Sequence, residues 1–209
     1  MMILQSIFLR SPLILLVSAM VLSMSVATDL HAGSFREIDN SPVMPDLDLV
    51  DHEGASFGNA QLEGHWTLVL IGFTSCPDVC PYTLGNLEHV LAETSSRVRP
   101  DNLPQVVFLA VDPVRDIPNL ANYVEHFHPD YIGVSGNIEA IDEFVAGLDG
   151  FYAYDEADAS GFYNVRHSAE VRVLNPEGRL VASLQPPMNA STTADFLLKL
   201  QIDRRRQLQ

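Results

Sequence analysis

The chain has 209 residues, 47% hydrophobic and 19% charged, which suits one packed domain with a short extra segment and excludes a disordered chain. Its formal net charge is -15. A chain this acidic repels phosphate backbones and anionic lipid, so no nucleic-acid partner is expected; a cation or a basic protein surface suits it better, and simple solubility explains the acidity equally well.

Arg10 is the only charge before an apolar run from Leu13 to Ala27. The run ends in Ser25-Val26-Ala27, the small-x-small form of a signal-peptidase site. It is short for a span of about 20 residues. Residues 1–27 are therefore expected to be a signal peptide or an N-terminal membrane anchor, the only part of the chain to meet a membrane. The polar stretch 28–45, with Gly33, Asn40 and Pro42, reads as a linker. A single folded domain is expected over 46–206.

Within that domain, Asp46 to Val50 alternates as a short strand and turns at Asp51-His52-Glu53-Gly54. Trp66 to Phe73 is continuously apolar, as for a strand buried on both faces. A loop with both cysteines follows. Thr83 to Glu93 then has helical spacing, with Leu84, Leu87, Val90 and Leu91 on one side. Further strands are expected at Val106–Val111, Tyr131–Val134 and Phe151–Tyr154, with helices at Ile117–Phe127 and Ile138–Leu148. An acidic loop from Asp155 to Gly161 leads to strands Ala169–Leu174 and Leu180–Leu184, joined by the turn Asn175-Pro176-Glu177-Gly178. A last helix covers Thr192 to Arg204. Strand–helix alternation closed by a hairpin and a helix implies an α/β fold, a mixed sheet flanked by helices.

The two cysteines, Cys76 and Cys80, are spaced C-x-x-x-C between a buried strand and a helix. Cys80-Pro81 reads as a helix start, since proline suits the first helical position. A thiol there has its thiolate favoured by the helix dipole and free N–H groups. Residues four apart on a helical turn have Cβ atoms about 5–6 Å apart, close to disulfide reach and comfortable for two thiolates on one metal ion. Three readings stay open: a structural disulfide, a redox dithiol and a metal site, with the metal site leading.

Two thiolates need a further ligand, and thiolate-rich sites of low coordination suit Cu(I) better than structural zinc. The seven histidines are His31, His52, His65, His89, His126, His128 and His167. The first six fall in the linker, in turns or on helices, where a solvated histidine is the simpler reading. His167 opens the expected strand after a long loop, and such a loop can return over the strand–helix turn that holds the cysteines. On spacing alone it stays open between a ligand and a hydrogen-bonded loop histidine.

Four stretches now bear on the choice. They are Gly72-Phe73-Thr74-Ser75-Cys76-Pro77-Asp78-Val79-Cys80-Pro81, Val111-Asp112-Pro113-Val114-Arg115-Asp116-Ile117-Pro118, Phe127-His128-Pro129-Asp130-Tyr131-Ile132-Gly133 and His167-Ser168. In that order they resemble the Sco/SenC family of thioredoxin-like copper proteins, over nearly all of 41–200. The resemblance implies a thioredoxin fold that holds one copper, as Cu(I) or Cu(II), on Cys76, Cys80 and His167. It also implies a role in building the dinuclear copper centre of cytochrome c oxidase subunit II, with other periplasmic copper chaperones as further partners. The expected location is periplasmic or otherwise extracytoplasmic, free or anchored. One departure is Arg166, where the family usually has aspartate; a cation there is expected to disfavour Cu(II).

Two functions remain in play, a copper metallochaperone and a thiol–disulfide oxidoreductase that reduces the target's cysteines. The C-x-x-x-C spacing, with no proline beside His167, departs from the C-x-x-C oxidoreductases. A peroxidase pattern is not present around Pro77, Tyr82 and Thr83.

Overall fold

The computed structural model describes residues 35–209. The expected signal or anchor, the first part of the expected linker and His31 lie outside the described residues. Among the described residues, no helix is long and apolar enough to cross a membrane.

The continuous apolar run after Trp66 becomes β4 (Thr67–Gly72), and all six of its residues are buried. It pairs in parallel with β5 (Gln105–Ala110), which pairs in parallel with β6 (Ile132–Ser135). On its other side β4 runs antiparallel to β9 (Val171–Leu174), and β9 to β10 (Leu180–Leu184). The outer strands are β1 (Phe35–Glu37), β2 (Leu49–Asp51) and β3 (Ser56–Phe57), giving the order β1-β10-β9-β4-β5-β6-β2-β3. This is the thioredoxin-like mixed sheet that the sequence leads one to expect.

The helices are α1 (Asn59–Leu62), α2 (Val79–Ser95), α3 (Pro113–Asp116), α4 (Leu120–Phe127), α5 (Ile138–Gly147) and α6 (Ala190–Gln207). The long helices α2 and α6 pack on each other, and Tyr123 of α4 meets Phe108 of β5. On the opposite face Ile71 packs against Gly150 at the end of α5. The helices thus cover both faces, which is why β4 and β5 carry no polar alternation.

Three local expectations need correction. Residues 35–44 are not linker: β1 pairs with β10, Val43 bridges Arg179, and Met44 is buried. A three-residue edge strand is too short to show a period, and Phe35 stacks on Phe196 of α6 with ring centroids 4.6 Å apart. Helix α2 starts at Val79, just before the Cys80-Pro81 start read from the sequence, so both residues lie in its first turn. Proline is tolerated there because the first four helical N–H groups have no intrahelical partner. The helix expected over Ile117–Phe127 begins only at Leu120, after a 3-10 turn containing Pro118. Finally, His167 ends a strand and does not open one. It closes β8 (Val165–His167), which pairs with β7 (Tyr152–Tyr154) in a two-stranded ribbon outside the main sheet.

Candidate metal centre

The site forms where β4 gives way to α2. Gly72 ends β4, and a Cβ there would lie 2.8 Å from Cys80 Sγ and 2.6 Å from Phe108 Cε2. Only glycine lets the helix bring Cys80 so close to the strand. Cys80 is fully buried, and Cys76 in the preceding loop is 9% exposed. The Cys80 backbone N–H points at Cys76 Sγ, 3.5 Å away.

His167 reaches the same place from the ribbon. Its Nε2 lies 3.4 Å from Cys80 Sγ, and its Nδ1–H donates to the Ser168 carbonyl at 2.9 Å. A carbonyl can only accept, so the proton sits on Nδ1 and the Nε2 lone pair faces the sulfurs. The imidazole meets the Phe73 ring edge-on, with centroids 6.0 Å apart. One ligand atom from each of Cys76, Cys80 and His167 lies within 4.8 Å of the other two. No other such group of histidine, cysteine and carboxylate side chains occurs among the described residues. A soft metal ion with two sulfur and one nitrogen donors fits this set, and the Nδ1 hydrogen bond is the kind that orients a ligating imidazole.

Both cysteines are free thiols, so the structural-disulfide reading is not realised in this state. They are not equivalent. The Cys80 S–H donates to Cys76 and, against the effect of burial, pulls Cys76 down from an ordinary 9.0 to about 4; the backbone N–H groups of Asp78 and Cys80 add to this. Cys80 is pushed far up, first by that same bond and then by burial. The helix start alone suggests a lowered Cys80, but burial and the neighbouring thiolate reverse it. Cys76 is also the accessible sulfur. A groove of about 680 Å³ lined by Thr74, Ser75, Tyr123 and His126 meets it on one side. One of about 460 Å³ lined by Phe73, Asp78, Phe151 and His167 meets it on the other.

The other histidines are elsewhere. His52 Nδ1 accepts the Gly133 N–H, His128 Nδ1 accepts the Asp130 N–H, and His65, His89 and His126 are exposed. Arg166, next to His167, donates through Nε to Asp155 Oδ1 at 2.8 Å, so a carboxylate sits beside its charge.

Residue typing missed the supports. Asp116, fully buried, accepts the Thr74 N–H at 2.7 Å, the Thr74 hydroxyl at 2.8 Å and the Asp112 N–H at 2.9 Å. It ties the cysteine loop to the turn after β5. Burial raises its pKa, with the three bonds working against the rise. The only sequence signal was the Val111-Asp112-Pro113-Val114-Arg115-Asp116 stretch, and nothing in its spacing reveals what it holds.

The family model for SCO1/SenC matches residues 36–201. The chain belongs to the SCO1/SenC family. It is 32% identical to an SCO2-like protein of Rickettsia conorii over 163 residues, 76% of this chain and 77% of that protein. Among solved structures, Arabidopsis thaliana ScoI with copper bound is 28% identical with a TM-score of 0.68, covering 76% of this chain and 97% of that one. Yeast Sco1 with copper bound is 27% identical with a TM-score of 0.68, covering 75% and 87%. For this SCO1/SenC chain, the metal-ligand geometry thus stands beside relatives solved with copper.

Proposed function

We propose that this chain is a copper metallochaperone. It holds one copper ion on Cys76, Cys80 and His167 and passes it to the dinuclear copper centre of cytochrome c oxidase subunit II. The observation that carries this reading is the meeting of two sulfurs and one oriented imidazole nitrogen within 4.8 Å. Copper is cargo here. Two sulfurs and a nitrogen leave room for incoming ligands, so transfer by ligand exchange needs no net redox change. The exposed side of Cys76 is where target thiolates approach. Export through residues 1–27, by cleaved signal or retained anchor, belongs to the same reading.

The test is copper stoichiometry on the reduced domain, followed by transfer to the purified copper-binding domain of subunit II. Wild type is expected to retain one Cu(I) against a moderate competitor and to release it to the target, while His167→Ala binds more weakly. Failure of wild type to retain copper sinks the reading. Equal binding by His167→Ala shows that the third ligand is misassigned.

The Cys76 thiolate favours a second activity, reduction of a disulfide in the target. Cys76 S⁻ attacks one sulfur of the target disulfide, breaking that bond and releasing a target thiolate. Cys80, its proton passed to that thiolate, then attacks Cys76 and frees the second target sulfur. Two electrons pass to the target, and the Cys76–Cys80 pair ends oxidised.

A further inference from the structure

The β7–β8 ribbon carries His167, yet it pairs with no strand of the main sheet. At its base the Ser168 N–H donates to the Phe151 carbonyl, and the Ser168 hydroxyl oxygen accepts the Phe151 N–H, both at 3.0 Å. These bonds close the ribbon on itself. Buried Val165 seats it on the core, and its outer end is tied to the turn after β5. The Tyr154 hydroxyl donates to the Val111 carbonyl at 2.6 Å, and the Tyr163 hydroxyl donates to Asp112 Oδ1 at 3.2 Å. Arg115 adds two contacts to Tyr163. Its Nη1 donates to the Tyr163 carbonyl at 2.9 Å, and its guanidinium carbon lies 3.8 Å from the centre of the Tyr163 ring. It also lies 5.7 Å from the Phe73 ring, the same ring that meets His167 edge-on. Arg115 is anchored on its own turn by an ion pair with Asp112, whose side chain is 3% exposed.

The turn from Val111 to Asp116 therefore touches both halves of the site. Asp116 holds the cysteine loop, and Arg115 with Asp112 holds the histidine ribbon. We propose that Arg115 is a positioning residue: it latches the ribbon to this turn and so sets the distance from His167 Nε2 to the two sulfurs. The proposal rests on the copper reading above and adds to it what makes the nitrogen available. Arginine suits the task because one planar group can pair with a carboxylate, donate to a carbonyl and stack on a ring at once; lysine offers a point charge without the stack. The cysteine loop is tied to this turn through Asp116 and Thr74 rather than through Arg115. Loss of the latch should therefore remove the nitrogen and leave the sulfurs.

The experiment uses Arg115→Met, His167→Ala and the double variant in the full chain. Cu(I) affinity is measured by chelator competition, and nitrogen ligation by the hyperfine pattern of the Cu(II) form. Arg115→Met is expected to keep one copper per chain, lose the nitrogen pattern and bind at least about tenfold more weakly, the usual scale for removing a support of a metal ligand. The double variant should bind as His167→Ala does, because the two changes remove one and the same ligand. In the metal-free protein, amide exchange at residues 165–167 should accelerate while β4 stays protected. Wild-type affinity with an intact nitrogen pattern in Arg115→Met overturns the proposal, as do additive losses in the double variant. If Arg115→Met does not fold, Arg115→Lys, which keeps a charge beside Asp112 but loses the stack on Tyr163, carries the same measurements: a weakened nitrogen pattern supports the latch, and an unchanged one overturns it. A wild type without copper affinity defeats the copper reading alone, and the exchange rates then decide the latch by themselves.

Discussion

Gly72→Ala is the sharpest probe of how the fold builds the site. The added Cβ would lie 2.8 Å from Cys80 Sγ and 2.6 Å from Phe108 Cε2. Ordinary carbon contacts begin near about 3.5 Å, so one or both neighbours must retreat by roughly 1 Å. Neither has free space: Cys80 and Phe108 are fully buried, and Phe108 is packed on Tyr123 with centroids 5.1 Å apart. Overpacking of this kind costs about 1–3 kcal/mol. At about 2–4 °C per kcal/mol for a chain of this size, Tm should fall by about 2–12 °C. The ligand sulfur is one of the atoms displaced, and metal sites tolerate only about 0.2 Å in ligand distance. Copper affinity should therefore drop by more than the loss of stability explains. Calorimetry of the metal-free protein and Cu(I) competition give the two numbers separately. Gly85→Ala is the control, because a Cβ at that position in α2 meets nothing within 4 Å. It should leave copper binding intact and raise stability by about 0.5–1 kcal/mol through helix propensity. If Gly72→Ala matches wild type in both Tm and copper affinity, the close approach of Cys80 to β4 is not what fixes the ligand.

Four further outcomes follow from the structure. Cys76 should react with an alkylating agent at a rate nearly independent of pH between about 6 and 9, whereas an ordinary thiol speeds up about tenfold per pH unit over that range; a rate that titrates near 8.5 or 9 contradicts the assignment. The sign for stability is the same: the folded thiol is lowered to about 4 from 9.0, so its contribution is absent below pH 4, grows as pH rises and is lost again on acidification, visible as reduced-protein Tm against pH in comparison with Cys76→Ala. Asp116→Ala leaves the Thr74 N–H, the Thr74 hydroxyl and the Asp112 N–H without their acceptor and should cost upward of about 3 kcal/mol in denaturant unfolding; a loss under 1 kcal/mol means water replaces the carboxylate. Phe35→Ala removes the stack on Phe196 and should cost about 1–2 kcal/mol with copper affinity unchanged, so an unaltered Tm would mean that β1 adds nothing to the domain.

The sequence by itself determined the class of fold and the chemistry of the site. Long apolar runs at β4 and β5 suit strands buried on both faces, and the leucine and valine spacing of α2 suits one buried helical stripe. Local pattern suffices there because burial is dictated residue by residue. The C-x-x-x-C loop named the two thiols, and family resemblance added His167. Tertiary structure decided the rest, because it joins residues far apart in the chain. His167 meets Cys80 from a ribbon outside the main sheet, whose Tyr154 and Tyr163 bond to the turn after β5. The edge strand β1 exists only because β10 and Phe196 receive it. The two cysteines look alike in sequence, and which of them carries the charge depends on burial and on the direction of one S–H bond. Such quantities depend on distances between segments, which no local pattern encodes.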